Sequence, residues 1–300
     1  MKRVLVTGAV GFIGRACLPL LISGGYEVHA VSSRPSVPGQ GVWWHTANLL
    51  EPGVPAALID SVAPSHLLHL AWYTEPGRYW TNPANGLWAN ATIQLGAAFY
   101  KRGGYRAVYA GTCAEYDWTH GGICDETTTP VVPATLYGRC KRATWDVLEA
   151  LALESGTSAA WARLFFLYGP HERPERLVPS VVRALLASER ARCTSGEQVR
   201  DFLYVEDVAK AFVALIDYEL QGAVNIGSGQ PTAVREVLSV LGAKLGGSQL
   251  IEFGALPNPS EDVPRLVADV TKLKRGTGWA PTVDIEQGLE RTIAWWREQS

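Results

Sequence analysis

The sequence predicts an α/β fold, in which a doubly wound parallel sheet is followed by a smaller C-terminal lobe. Short apolar runs alternate with helical patterns over residues 1–165, and this alternation is typical of parallel strands joined by helices. A glycine-rich turn separates the first apolar run from the first helix, as expected at the first crossover of such a sheet. Beyond Leu164 the elements become shorter and the loops richer in Arg and Pro, which indicates a second lobe.

Composition and charge restrict the class of protein. The 300 residues are 47% hydrophobic and 19% charged with a net charge of −2, a globular profile that does not favour binding to nucleic acid or to a membrane surface. No apolar run is long enough to span a bilayer, and Gly8, Gly11 and Gly14 interrupt the N-terminal one, so we expect neither a membrane span nor a signal peptide. The five cysteines are scattered without paired motifs, which indicates reduced thiols, no metal site and a cytoplasmic protein.

The first elements form a strand, a glycine turn, a helix and a second strand. An apolar strand runs from Lys2 to Val6, a helix from Arg15 to Ser23 and a strand from Tyr26 to Val31. The glycines between them permit a tight turn and close approach to a pyrophosphate, which the positive end of the helix attracts. We therefore predict a Rossmann-type dinucleotide site whose residues here are Gly8, Gly11, Phe12, Ile13, Gly14 and Arg15.

The end of the second strand bears on the choice of cofactor. An acidic residue at this point would bind the ribose 2′-hydroxyl of NAD, whereas an arginine would accommodate the 2′-phosphate of NADP. The chain has Ser32, Ser33 and Arg34 there, and Arg15 is expected within reach of the same phosphate. The sequence therefore favours NADP(H), with NAD(H) as the alternative.

The alternation continues from Val42 to Leu164. The predicted strands are Val42–His45, His66–Ala71, Arg106–Ala110 and Ser158–Leu164, and the predicted helices are Pro55–Ser61, Asn85–Arg102 and residues 134–154. Ligands bind beyond the carboxyl ends of strands in such sheets. Four residues near these ends complete the predicted cofactor site: Asn48, Leu49, Leu70 and Ala71.

Tyr137 and Lys141 stand four residues apart at the start of a predicted helix. Residues at i and i+4 are neighbours on one helix face, so the Lys141 ammonium is expected near the Tyr137 phenol. A nearby positive charge favours the phenolate and lowers the pKa of the phenol. The pair is therefore a candidate general acid and base.

Elements beyond Leu164 are expected to divide between two domains. We predict that residues 1–165, with a helix at about 203–218, form the Rossmann domain. Residues 166–202 and 219–300 would form a substrate-binding lobe that closes over the crevice.

Several motifs in order resemble the extended short-chain dehydrogenases/reductases, the NAD-dependent epimerase/dehydratase family that acts on nucleotide sugars. They are TGAVGFIG at 7–14, HLA at 69–71, GTCAEY at 111–116, YGRCK at 137–141, LYGP at 167–170, RDFLYVEDVA at 200–209 and NIGSG at 225–229. The resemblance implies that Tyr137 is the catalytic acid and base, and that Lys141 lowers its pKa and binds the nicotinamide ribose. It also implies that Thr112 hydrogen-bonds the reacting oxygen.

The resemblance implies further contacts. Arg200, and less directly Arg265, would contact the substrate diphosphate, where a planar guanidinium suits phosphate oxygens. The remaining expected substrate contacts are Trp72, Thr112, Cys113 and His171. A homodimer through the helices at 85–102 and 134–154 is usual for such relatives.

Departures from the family pattern narrow the reaction. Members that dehydrate sugars carry Asp-Glu after the catalytic threonine, but Cys113 and Ala114 follow Thr112 here. The expected reaction is reduction of a 4-keto nucleotide sugar by NADPH, with Tyr137 as proton donor. Two alternatives stay open: a nucleotide-sugar 4-epimerase with tightly bound NAD, and a non-catalytic NADP(H)-binding sensor.

Overall fold

A computed structural model describes residues 2–35, 41–258 and 263–299. The strands are β1 (Arg3–Thr7), β2 (Glu27–Ser32), β3 (Val42–Thr46), β4 (His66–His69), β5 (Arg106–Thr112), β6 (Gly122–Cys124), β7 (Ser158–Leu164), β8 (Phe166–Tyr168), β9 (Ala191–Arg192), β10 (Val199–Tyr204), β11 (Gly222–Ile226), β12 (Pro231–Ala233), β13 (Ile251–Glu252) and β14 (Arg265–Ala268). The helices are α1 (Phe12–Ser23), α2 (Val54–Val62), α3 (Ala84–Lys101), α4 (Leu136–Ser155), α5 (Leu177–Leu186), α6 (Val205–Asp217), α7 (Val234–Leu245), α8 (Thr271–Thr277) and α9 (Ile285–Glu298).

The main sheet has seven parallel strands in the order β11-β7-β5-β4-β1-β2-β3. The direction in which successive strands are added reverses between β1 and β4, so the carboxyl ends of these strands leave a crevice at this point. The α/β class and the Rossmann-type sheet predicted from the sequence are thus confirmed.

Two parts of the predicted domain division do not match the strand pairing: β6, predicted in the Rossmann domain, pairs with β14 of the C-terminal lobe, and β11, predicted in the lobe, lies in the main sheet. The sequence placed residues 219–300 in the C-terminal lobe, but β11 pairs with β7 at the edge of the main sheet, with Gly222 opposite Ala160 and Ile226 opposite Leu164. The partner strands are about sixty residues apart in the chain, so no local pattern could reveal this pairing. We therefore assign β11 to the Rossmann sheet.

Helices cover both faces of the main sheet. On one face α1 and α6 pack their apolar sides, including Leu21 and Phe212, against the sheet. On the other face α2, α3 and α4 contribute a second core around Phe99, Leu148 and Trp161. Every residue of β5 is buried, as expected for a central strand with both faces covered.

The C-terminal lobe is built around β10. This strand pairs antiparallel with β12 and parallel with β8 and β14. Helices α5, α7 and α9 cover it through an apolar cluster that includes Val182, Leu238 and Ile293. Within the part of the chain that the structure describes, no helix combines the length and apolar character needed to cross a bilayer.

Candidate active site

The glycine loop between β1 and α1 is packed too tightly for side chains. Gly8 has a positive φ of 67°, and a Cβ there would lie 2.8 Å from the backbone nitrogen of Ala71. A Cβ on Gly14 would lie 2.3 Å from the Gly8 carbonyl oxygen. The loop ends at Gly11, where α1 begins without a side-chain cap. Its first-turn N–H groups and the space kept clear of Cβ atoms fit a dinucleotide pyrophosphate.

A cavity of about 1680 Å³ runs from the glycine loop to the C-terminal lobe. Most of the predicted site residues line it together: Gly8, Gly11, Phe12, Ile13, Gly14, Ser32, Ser33, Asn48, Leu49, Leu70, Ala71, Trp72, Thr112, Cys113, Tyr137, Lys141, His171 and Arg200. The volume lies above the range of ordinary drug-sized pockets.

Three predicted arginines are not among the lining residues. The guanidinium of Arg15 donates to the carbonyl oxygen of Val10 at 2.7 Å. The backbone N–H of Arg34 donates to the Ser32 hydroxyl at 3.2 Å, while Arg265 is exposed at the start of β14. The two arginines expected at a 2′-phosphate, Arg15 and Arg34, thus lie outside the cavity wall.

Lys141 is buried and lines the cavity. Its ammonium donates to the Ala110 carbonyl oxygen at 2.7 Å and lies 3.7 Å from the centre of the Trp72 ring. Burial lowers the pKa of Lys141 to about 7, because the charged form loses its hydration, while the Glu115 carboxylate acts in the opposite direction. The ammonium is therefore poised to lose its proton near neutral pH.

The predicted effect on Tyr137 is wrong in direction. Burial raises the pKa of the Tyr137 phenol above its usual value, and the hydrogen bond with Thr112 only opposes this. The ring is packed among Trp72, Tyr79 and Trp80, with centroid distances of 6.5, 4.9 and 5.8 Å. Desolvation by these rings outweighs any charge effect, so in this structure Tyr137 is held as a neutral phenol.

Thr112 is positioned by a glutamate that the sequence did not single out. Thr112 begins a short 3₁₀ turn, and its backbone N–H donates to Glu115 Oε1 at 2.9 Å. Glu115 has no exposed surface, and it also accepts from Trp161 Nε1 at 2.8 Å and Arg163 Nε at 2.9 Å. The buried Glu115–Arg163 pair connects the turn after β5 to β7. Its only sequence signal is a carboxylate within an otherwise apolar stretch.

The C-terminal lobe contributes cations to the cavity. Arg200 is buried, lies over the Phe166 ring and donates to the carbonyl oxygens of Val199 and Val263. Two lining arginines were missed, Arg173 and Arg176, and the second lies 5.1 Å from the Tyr79 ring centre. Sequence reasoning missed them because the arginine-rich loop before α5 carries no motif.

Two further residues after β8 line the same wall. His171 has a positive φ of 68°, and its ring packs against Trp295 at 4.7 Å between centroids. Glu172 was also missed, and burial raises its pKa to about 8, so it is largely protonated at neutral pH. Its Oε2 atom is buried and has no hydrogen-bond partner in the part of the chain that the structure describes.

Cys113 is buried, and burial raises the pKa of its thiol, which keeps it protonated and apolar at neutral pH. Among the described residues no cluster of His, Cys, Asp and Glu is arranged to hold a metal ion. Thr112, Tyr137 and Lys141, the predicted catalytic set, all line this cavity.

A dinucleotide cradle that shares one cavity with a Thr-Tyr-Lys set defines an enzyme of the short-chain dehydrogenase/reductase type. The model of the NAD dependent epimerase/dehydratase family matches residues 4–227. The chain belongs to this family, whose members act on nucleotide sugars, as its motifs predicted.

Curated relatives cover the whole chain at low identity. UDP-glucuronic acid decarboxylase 1 of Xenopus tropicalis is 28% identical over 99% of this chain and 73% of the relative. The dTDP-L-rhamnose 4-epimerase of Burkholderia thailandensis is 26% identical over 98% of this chain and 94% of the relative. Relatives that catalyse different reactions thus have similar sequence identity to this chain.

Solved structures agree in fold along the full length. UDP-glucose 4-epimerase of Thermotoga maritima, solved with UDP-glucose, has a TM-score of 0.90 at 25% identity and covers 99% of each chain. MoeE5 in complex with UDP-glucuronic acid and NAD has a TM-score of 0.86 at 27% identity and covers 100% of each chain. Both of these structures thus hold a nucleotide sugar, and the second also holds NAD.

Proposed function

We propose that this protein is an NAD(H)-dependent 4-epimerase of nucleoside-diphosphate sugars. The proposal rests on which polar residues line the cavity. Thr112, Tyr137 and Lys141 lie in one cavity with the glycine loop, and the only carboxylates among the described lining residues are Glu51 and Glu172. This set is sufficient for proton transfer at one hydroxyl and contains no Asp-Glu pair for removing a further C–H proton.

Glu51 belongs to the cofactor end of the cavity. It accepts a hydrogen bond from the Asn48 side chain at 3.1 Å, in the loop after β3. Glu172 lies in the loop between β8 and α5, so the two carboxylates belong to different segments of the wall. This separation supports a site with one acid and base, Tyr137.

The residues divide the work of hydroxyl oxidation and ketone reduction. The nicotinamide, when bound, would supply reversible hydride transfer at C4 of the sugar. Tyr137 must first lose its own proton; as the phenolate it takes the proton of the C4 hydroxyl in the first direction, and as the phenol it returns that proton in the second. Thr112 hydrogen-bonds the same oxygen, and the Lys141 ammonium stabilises the phenolate that forms. Epimerisation follows if the ketone presents its other face before the hydride returns, so there is no net redox change.

The wall of the C-terminal lobe suits the diphosphate. Arg173, Arg176 and Arg200 line this side, and guanidinium groups bind phosphate oxygens in pairs of parallel hydrogen bonds. We infer that these arginines anchor the nucleotide while the sugar remains free to turn above Tyr137. A sugar that turns while its diphosphate stays bound is what a 4-epimerase requires.

The preference for NAD(H) rests on the end of β2. Ser32 is buried there and Ser33 lines the cavity, while Arg34 lies outside its wall. A 2′-phosphate would bring two negative charges that need a cation in contact with them. The NAD-containing relatives, among them UDP-glucose 4-epimerase of Thermus thermophilus at a TM-score of 0.86, support the same cofactor.

The test is incubation of the purified protein with UDP- and dTDP-linked hexoses, hexosamines, 6-deoxyhexoses and uronic acids, without added reductant. A 4-epimerase converts one sugar into its C4 epimer, detected by chromatography and NMR, without net formation of NADH. Tyr137→Phe serves as the inactive control. Release of carbon dioxide from the uronic acid would identify a decarboxylase instead, because a 4-keto uronic acid is a β-keto acid.

A 4-ketoreductase using NADPH is the second candidate, favoured by the absence of a carboxylate at Ser32, Ser33 and Arg34. It predicts consumption of one NADPH for each 4-keto sugar reduced, with no interconversion of the unoxidised sugars. Binding of NADP(H) without turnover of any sugar would instead support the non-catalytic sensor.

We also infer a homodimer through α3 and α4. Leu87 on α3 and Val147 and Leu153 on α4 are exposed, although large apolar side chains normally seek burial. Light scattering should give twice the mass of 32.6 kDa for the chain. Leu87→Lys and Leu153→Lys should shift the mass toward that of one chain, and a monomeric wild type would contradict the inference.

A further inference from the structure

The ammonium of Lys141 is held by a tryptophan as well as by the backbone. Its Nζ atom lies 3.7 Å from the centre of the Trp72 ring, and the Trp161 ring is 5.6 Å away. A cation over an indole face is attracted by the ring quadrupole, most strongly where water is excluded. With one N–H donated to Ala110, the Trp72 ring restricts where the remaining N–H groups can point.

A buried asparagine fixes that ring. Trp72 Nε1 donates to Asn85 Oδ1 at 2.8 Å, and Asn85, in the first turn of α3, has no exposed surface. The Asn85 amide nitrogen donates to the Tyr79 carbonyl oxygen at 2.7 Å and to the Asn82 carbonyl oxygen at 2.9 Å. Both amide hydrogens and the amide oxygen of this side chain are therefore used.

The same asparagine also organises the wall behind Tyr137. The carbonyl oxygen of Tyr79 accepts a hydrogen bond from Asn85. The Tyr79 ring packs edge to face against the Tyr137 ring, with 4.9 Å between the ring centroids. The next residue, Trp80, packs against Tyr137 at 5.8 Å, and its carbonyl oxygen accepts from the Tyr137 backbone N–H at 3.1 Å. One side chain thus reaches Lys141 through Trp72 and reaches Tyr137 through residues 79 and 80.

We propose that Asn85 is a positioning residue for the Tyr137–Lys141 pair, acting through Trp72 and the Tyr79 backbone. The proposal rests on the proposed function for the role of the pair, and on the hydrogen bonds above for its geometry. Asn85 contacts neither reacting group. It determines where the indole ring lies, and the ring determines how the ammonium faces the cavity.

The test compares Asn85→Ala and Trp72→Phe with the double variant and with Asn90→Ala, an exposed asparagine on the same helix. Both single variants remove the Trp72–Asn85 hydrogen bond, and Asn85→Ala also removes the two bonds that the amide donates. We expect kcat to fall by at least about tenfold, the worth of one well-placed hydrogen bond, while KM for the sugar changes less. The double variant should lose no more than the worse single variant. Asn90→Ala should behave as wild type.

A second readout needs no turnover. The pH dependence of Lys141 labelling by an amine-reactive reagent, followed by mass spectrometry, measures how well its ammonium is enclosed. Among the described residues, Glu115 beyond β5 and His69 on β4 interact with its charge, Tyr137 lies one turn before it on the same helix, and none of the variants changes these groups. Loosening the ring admits water, so the labelling midpoint in Asn85→Ala should rise by about one pH unit or more.

The outcomes separate the two proposals. A shifted labelling midpoint in a protein that converts no sugar would refute the epimerase and leave the positioning role standing. Normal turnover with an unchanged midpoint and unchanged kcat in a folded Asn85→Ala variant would overturn the positioning role. So would additive losses in the double variant. If Asn85→Ala does not fold, Asn85→Leu is measured in its place, because it is close in size to asparagine and cannot accept the hydrogen bond from Trp72 Nε1.

Discussion

Glu115 provides the sharpest test of how the site is supported. Its carboxylate has no exposed surface and accepts three hydrogen bonds, from the Thr112 backbone, Trp161 and Arg163. Glu115→Gln keeps the size of the side chain and the oxygen that faces Thr112 and Trp161. The substitution also places an amide N–H group opposite the N–H of Arg163, in place of the carboxylate oxygen. The Arg163 guanidinium therefore stays buried but no longer faces a negative charge.

The expected cost follows from the burial of both partners. The Arg163 side chain is 3% exposed, and its Nη1 atom already has no hydrogen-bond partner among the described residues. Removing one member of a buried ion pair costs about 3–5 kcal/mol, because the other charge remains desolvated. For a chain of this length that free energy corresponds to a melting temperature lower by about 5–8 °C. Turnover should fall as well, because Thr112 loses part of its support.

The assay is urea unfolding followed by tryptophan fluorescence, with Glu154→Gln, an exposed glutamate, as the control of identical chemistry. A second variant, Glu115→Gln with Arg163→Met, removes both charges and should be more stable than Glu115→Gln alone. A loss of less than about 1 kcal/mol in Glu115→Gln would place it among ordinary surface changes and refute the buried-pair argument.

Three further predictions concern the cavity itself. Gly14→Ala places a Cβ 2.3 Å from the Gly8 carbonyl oxygen, so the affinity for NAD(H), measured by fluorescence titration, should fall at least about tenfold. Wild-type affinity would contradict the assignment of the glycine loop as the pyrophosphate site. Tyr137→Phe should lower kcat by about 10²–10⁴-fold with little change in NAD(H) binding, and retained turnover would remove Tyr137 from the mechanism. Because burial lowers the pKa of Lys141 to about 7, its ammonium is present below that pH and lost above it. The kcat/KM profile should therefore fall as pH rises through about 7, and a profile flat to pH 9 would show that the charge is not needed.

Local patterns predicted the parts of the site that depend on spacing. The glycines at positions 8, 11 and 14 are required by backbone conformation and close approach, and both requirements act within a few residues. Tyr137 and Lys141 lie on one helix because their separation matches the helical repeat. The alternation of strands and helices likewise predicted the parallel sheet.

Contacts between residues far apart in the chain decided the burial, the pKa and the hydrogen-bond partners of those residues. The pKa of Tyr137 rises because rings from residues 72–80 exclude water from it, and no spacing along the chain encodes that burial. The Glu115–Arg163 pair and the Trp72–Asn85 bond join residues from separate elements. Arg15, Arg34 and Arg265 are plausible phosphate ligands by residue type, but they lie outside the cavity wall.

The sequence by itself thus determined the fold class and the family, and it placed Tyr137 and Lys141 on one helix, because each depends on residue type and local spacing. Only the tertiary structure decided which arginines line the cavity, how Thr112 is supported and how water is kept from Tyr137 and Lys141. The reason is that burial, desolvation and ion pairing depend on distances in space between residues far apart in the chain.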